Sequence, residues 1–82
     1  MIIIYTTFPN QEEAQNIARA LLDERLVACA NIMPAHNSMY RWQGEVKNDQ
    51  EIAAIFKTRA NFFDLVNDKI TQMHSYDTPC IV

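Results

Sequence analysis

Ser38-Met39-Tyr40-Arg41-Trp42-Gln43-Gly44-Glu45-Val46 holds the only glycine and the only tryptophan in a chain of 82 residues. Glycine supplies the positive φ that a tight hairpin turn demands, so Gln43-Gly44 reads as a two-residue connection between strands. Before it, the run from Leu26 to Met33 has strand composition, pauses at Pro34-Ala35-His36-Asn37, and resumes from Ser38 to Trp42. After it, a return strand runs from Glu45 to about Thr58, polar at first and apolar from Ile52 to Phe56. Counting outward from the turn sets Trp42 opposite Glu45, Tyr40 opposite Lys47 and Ser38 opposite Asp49 on one face of the ribbon.

The flanking segments supply two helices and two more strands. Ile2-Ile3-Ile4-Tyr5-Thr6-Thr7-Phe8 is a β-branched and aromatic run ended by Pro9, which predicts a buried strand. Asn10 with Glu13 three residues on has the form of a capping box, and Ala14, Ile17, Ala18, Leu21 and Leu22 recur on one helical face, which predicts a helix over 11–24. Thr58 is the expected cap of a second helix, in which Phe62, Phe63, Val66, Ile70 and Met73 repeat at helical spacing until His74-Ser75-Tyr76. Met73 is expected in the core on this pattern. Pro79 opens a last apolar piece, Cys80-Ile81-Val82, which stops after three residues; the chain is expected to be cut short there. The order is β-α-β-β-α-β, an α+β ferredoxin-like arrangement of one antiparallel sheet with two helices on one face, in a single domain over residues 1–82.

A length comparison makes the hairpin exceptional. A helix of about 14 residues reaches roughly 21 Å, whereas strands of about 14 residues reach roughly 46 Å, so the hairpin must overhang its own helices. A bare two-stranded ribbon is marginal in water, and Trp42 and Tyr40 sit on its overhanging part. A second copy of the chain is the expected cover, making the protein a homo-oligomer.

Composition narrows the function. With 49% hydrophobic and 21% charged residues, the chain is an ordinary folded domain. A formal net charge of −3 and scattered lysines and arginines argue against a nucleic-acid partner. The N-terminal apolar run is too short for a membrane span or a signal segment, so no membrane partner and a cytoplasmic location are expected. Cys29 and Cys80 form neither a CxxC pair nor a disulfide framework; Cys29 reads as a small core residue. No glycine-rich phosphate loop, HExxH pair or Ser-His-Asp arrangement is present, so the expectation is a protein that is not an enzyme. His36, in the break between strands, reads as solvated.

The blocks Leu26 to Ile32, Ser38 to Val46, Glu51 to Thr58 and Met73 to Val82 are similar, in order and separation, to the CutA divalent-cation tolerance family. This resemblance implies a homotrimer related in architecture to the PII signalling proteins, with hairpins packed between subunits, and a role in tolerance of copper and other divalent metals. It also implies metal ligands at a cysteine near the end of the first strand and at a His-His pair after the second helix. Here those places hold Thr6 and Met73-His74. The expected metal set is therefore His74, Met73 and Asp77, taking copper or another divalent cation through imidazole, thioether and carboxylate. The expected interface cleft contains Tyr40, Trp42, Glu45, Lys47, Lys57 and Tyr76, with Lys47 over Tyr40 as a cation-π contact. In the alternative reading, a PII-like signalling module, this cleft holds a small-molecule ligand and metal is incidental.

Overall fold

The computed structural model describes residues 1–82. Its elements follow the predicted order: β1 (Ile2–Phe8), α1 (Gln11–Asp23), β2 (Cys29–Trp42), β3 (Glu45–Thr58), a 3-10 turn (Ala60–Phe62) and α2 (Phe63–Met73). The three strands form an antiparallel sheet in the order β1-β3-β2. The chain end returns to the free edge of β1, where Ile81 bridges Thr6 and the backbones of Tyr5 and Val82 exchange N–H···O bonds of 2.6 and 3.0 Å. The architecture is α+β and ferredoxin-like, as the element order predicts.

One cluster holds the core. Ile4, Phe8, Ile52, Ala54 and Phe56 from the sheet meet Ala14, Ile17, Ala18 and Leu21 of α1 and Val66 and Ile70 of α2, so both helices cover the same face. Full burial of each large aliphatic or aromatic side chain contributes about 1.5–3 kcal/mol. Helix α1 starts where the capping pattern predicts: Asn10 is extended and its side chain accepts the Glu13 N–H at 2.8 Å. The reciprocal half of the capping box is not made, because the Glu13 carboxylate instead accepts from the backbone N–H and hydroxyl of Ser75, each at 3.1 Å. At the other end Arg25 takes φ 59°, while its N–H and that of Leu26 return to the carbonyls of Leu22 and Leu21. This is a Schellman ending with arginine in the place glycine usually fills.

The predicted turn and register are both present. Gln43 and Gly44 have φ of 50° and 80°, the two positive values of a type I′ hairpin, and Trp42 pairs with Glu45, Tyr40 with Lys47 and Ser38 with Asp49. Nothing lies within 4 Å of a β-carbon placed on Gly44, so only backbone conformation selects glycine there.

Four local expectations are corrected. The pause at 34–37 is no break: β2 continues through it, and between the pairs Ile32–Ala54 and Ala35–Ile52 it carries one residue more than β3. Pro34 has no N–H to donate, which an edge strand tolerates at such a bulge. The consequence is large. Before the bulge Ala30 and Ile32 pack against the core, whereas beyond it even-numbered residues of β2 stand on the opposite, open face. Thr58 does not cap α2; it is buried and donates its hydroxyl to the Leu26 carbonyl at 2.6 Å. Cys29 is only half-buried and pairs across the open face with Lys57, and Met73 is 38% exposed, so neither lies in the core. The hairpin does overhang: residues 41–50 are all exposed, and the molecule extends 39 Å along one axis against 22 and 21 Å across.

Candidate functional site

The open face of the sheet carries a groove of about 1030 Å³. Tyr5 and Thr7 of β1 form its floor; Ser38, Tyr40 and Trp42 of β2 and Lys47, Asp49 and Glu51 of β3 form the wall under the hairpin; Tyr76, Thr78 and Cys80 close it from the chain end. The bulge in β2 creates this wall, since it turns His36, Ser38, Tyr40 and Trp42 onto the open face.

Two tyrosine–carboxylate pairs organise the groove. The Tyr40 hydroxyl donates to Asp49, its diagonal neighbour on β3, and the Tyr76 hydroxyl donates to Glu51 at 2.8 Å. Hydrogen bonding to the Asp49 carboxylate, with partial loss of solvent, raises the pKa of Tyr40 above its ordinary value. Desolvation first and the Glu51 hydrogen bond second push that of Tyr76 far up. Both phenols therefore stay neutral donors throughout the physiological range. The expected cation-π contact of Lys47 on Tyr40 is not formed. Lys47 pairs with Glu45 at 3.2 Å along its own strand, and the Tyr40 hydroxyl is held by Asp49.

The structure brings Tyr40, Trp42, Lys47 and Tyr76 of the predicted cleft together and leaves Lys57 out. Lys57 lies at the far end of β3, opposite Ile3 and Cys29; ten residues of strand separate it from Lys47, roughly 33 Å. Glu45 reaches the groove only through its ion pair. Asp49, Glu51 and His36 also line the groove, outside the predicted cleft; the alternation of β3 from Lys47 through Asp49 to Glu51 marks the two carboxylates as one face, whereas His36 reads as solvated from the sequence.

His74, the first of the expected metal ligands, is buried. Its imidazole lies between Phe8 and Tyr76, with ring centroids 5.0 and 4.7 Å away. Nε2 is 2.8 Å from the Thr7 carbonyl, which can only accept, so Nε2 carries a proton. Nδ1 faces the Tyr76 N–H at 3.1 Å and the Glu13 carboxylate at 3.3 Å. Both nitrogens thus have internal partners. Thr6 is buried with its hydroxyl donated to the Cys80 carbonyl at 2.7 Å, while Asp77 is exposed. No three His, Cys, Asp or Glu side chains gather within reach of one ion. As arranged in one protomer, residues 73–77 do not fit a metal centre.

The sequence profile of the CutA1 divalent ion tolerance proteins matches residues 2–82. This chain belongs to the CutA1 family. It is 44% identical over 82 residues to the divalent-cation tolerance protein CutA of Pyrococcus horikoshii, covering all of this chain and 79% of that protein. Crystal structures of CutA proteins superpose closely: that from Oryza sativa with a TM-score of 0.96 at 37% identity, covering 99% of this chain and 74% of that one. The Archaeoglobus fulgidus structure gives 0.94 at 45% identity, covering 98% of this chain and 78% of that one.

These CutA relatives correct one expectation. The Archaeoglobus protein is described as periplasmic and the rice protein as chloroplastic, so a cytoplasmic location does not follow from the sequence. No helix of the chain is long and apolar enough to cross a membrane.

Proposed function

We propose that the protein serves divalent-cation tolerance as a homotrimeric binding module that holds metal weakly, between copies and not within one protomer. The observation that supports this is the uncovered side of the molecule. Ile3 (60% exposed) on the open face and Met39 (69%), Trp42 (57%) and Val46 (61%) on the overhanging hairpin are apolar surface of a kind a monomer rarely leaves bare. The three-fold arrangement is what the family resemblance implies. Because one protomer assembles no set of three strong donors, a divalent cation needs groups from more than one copy. Asp49 and Glu51, whose carboxylates line the groove with His36 across the ribbon from Glu51, are the donors best placed to supply oxygen and imidazole ligands there.

Native mass spectrometry combined with calorimetric Cu(II) titration tests this reading. The expected result is a trimer at micromolar concentration and weak binding that Asp49→Asn with Glu51→Gln reduces. A monomer, or tight stoichiometric binding that a folded His74→Ala variant abolishes, would overturn it. Quenching of Trp42 fluorescence by metal alone would favour this reading over the PII-type one.

A further inference from the structure

We infer that the end of the molecule remote from the hairpin carries a binding pocket for a small organic phosphate monoester, built on Arg25 and Arg59. The pocket, of about 360 Å³, lies between the α1–β2 connection, the end of β3 and the chain start; Arg25, Arg59 and Thr58 border it, and Met1, Val27, Ala28 and Phe62 complete its lining. It shares no lining residue with the groove, so it stands or falls independently of the proposed function.

Charge is the first observation. The lysine and arginine ion pairs of this chain are Arg19–Asp23, Lys47–Glu45 and Lys69–Glu24, and Arg25 and Arg59 take part in none of them. No carboxylate lines the pocket, and the nearest acid in sequence, Glu24, is held by Lys69 at 2.6 Å. In a chain of net charge −3, two arginines therefore border one small space with no counter-charge of their own. An anion in the pocket would supply the counter-charge that both lack.

Pre-organisation is the second. The Arg59 guanidinium sits over the Phe62 ring, 5.9 Å from its centroid, which restrains a side chain that is otherwise free. Arg25 occupies the left-handed position, φ 59°, that closes α1. Glycine would meet that backbone demand with less strain, and the chain instead projects an arginine from it. Thr58 has a supporting part only, since its hydroxyl proton already goes to Leu26 and holds the end of β3 against the α1–β2 connection.

Size and chemistry indicate the class of ligand. The volume falls within about 300–1,000 Å³, the range of small-molecule sites. Two guanidiniums match the charge and the bidentate oxygen geometry of a phosphate monoester, which carries about −1.5 to −2 at neutral pH. The apolar walls would be left uncovered by inorganic phosphate and are covered by an organic group on the ester oxygen.

Titration of the assembled protein with phenyl phosphate at low salt, followed by amide NMR shifts and calorimetry, tests the assignment. Saturable binding is expected, with shifts at Arg25, Arg59 and Phe62. Arg25→Gly and Arg59→Gln should each weaken it about tenfold or more, the loss of a charge-assisted hydrogen bond. Arg25→Gly suits its backbone and keeps the fold, which thermal melting verifies. Arg41→Gln, removing an unpaired arginine at the hairpin tip, should change nothing. Absence of saturable binding, or an equal loss in Arg41→Gln, would overturn the site; inorganic phosphate binding as tightly as phenyl phosphate would overturn the ester assignment.

Discussion

The imidazole of His74 lies flat on the ring of Phe8, centroids 5.0 Å apart and planes 13° from parallel, and its edge is tied to the Thr7 carbonyl. The residue that the resemblance implies as a metal ligand therefore joins β1, α1 and the chain end. His74→Ala should remove the stack and leave the Thr7 carbonyl and Tyr76 N–H unpaired. A loss of about 2–4 kcal/mol is expected in denaturant unfolding. A change within experimental error would show that the network contributes little.

Trp42 and Tyr40 share the face of the hairpin that no element of the same protomer covers. Trp42→Ala removes the larger anchor of the proposed interface while leaving the turn intact. Native mass should shift from the proposed trimer toward smaller species at micromolar concentration, with far-UV circular dichroism retained.

Gly44 tests the turn in isolation. Because a β-carbon there meets no neighbour, Gly44→Ala should cost only the left-handed conformational penalty, about 1 kcal/mol. The measurement is the unfolding midpoint at fixed protein concentration. A much larger loss would mean that the turn also contacts another copy.

Alkaline pH should weaken the fold through Tyr76. Its folded-state pKa lies above the ordinary value of 10.0, so above that pH the unfolded chain gives up the phenolic proton while the folded chain keeps it. The unfolded state then binds fewer protons, and stability falls as pH rises. The contribution is fully present below about pH 10 and is lost progressively above it. Tyr76→Phe should show a shallower decline in urea midpoint between about pH 9 and 11 than the unchanged protein.

The parts of the fold that were legible in the sequence are those whose determinants lie close together along the chain. Asn10 caps α1 because its acceptor and the Glu13 N–H are three residues apart, and Gln43-Gly44 sets the hairpin register because a two-residue turn leaves no other pairing. The apolar spacing of Ala14, Ile17, Ala18 and Leu21 likewise placed one helix face in the core. Aromatic residues on the overhanging ribbon could be found by counting from the turn.

Tertiary structure decided the chemistry of the sites, because it depends on residues distant in sequence. Glu13 has a local capping partner available and goes to Ser75, 62 positions away, and His74 is buried by Phe8 and Thr7 of the first strand. A single bulge at Pro34 exchanges the two faces of β2, so alternation read from either side of it gives opposite answers about what lines the groove. Lys57 and Lys47 share a strand yet stand at opposite ends of the molecule, and Arg25 and Arg59, 34 positions apart, border one pocket. Local propensity and periodicity specified the elements; only packing determined which polar groups ended as neighbours, since that depends on which faces the core requires to be covered.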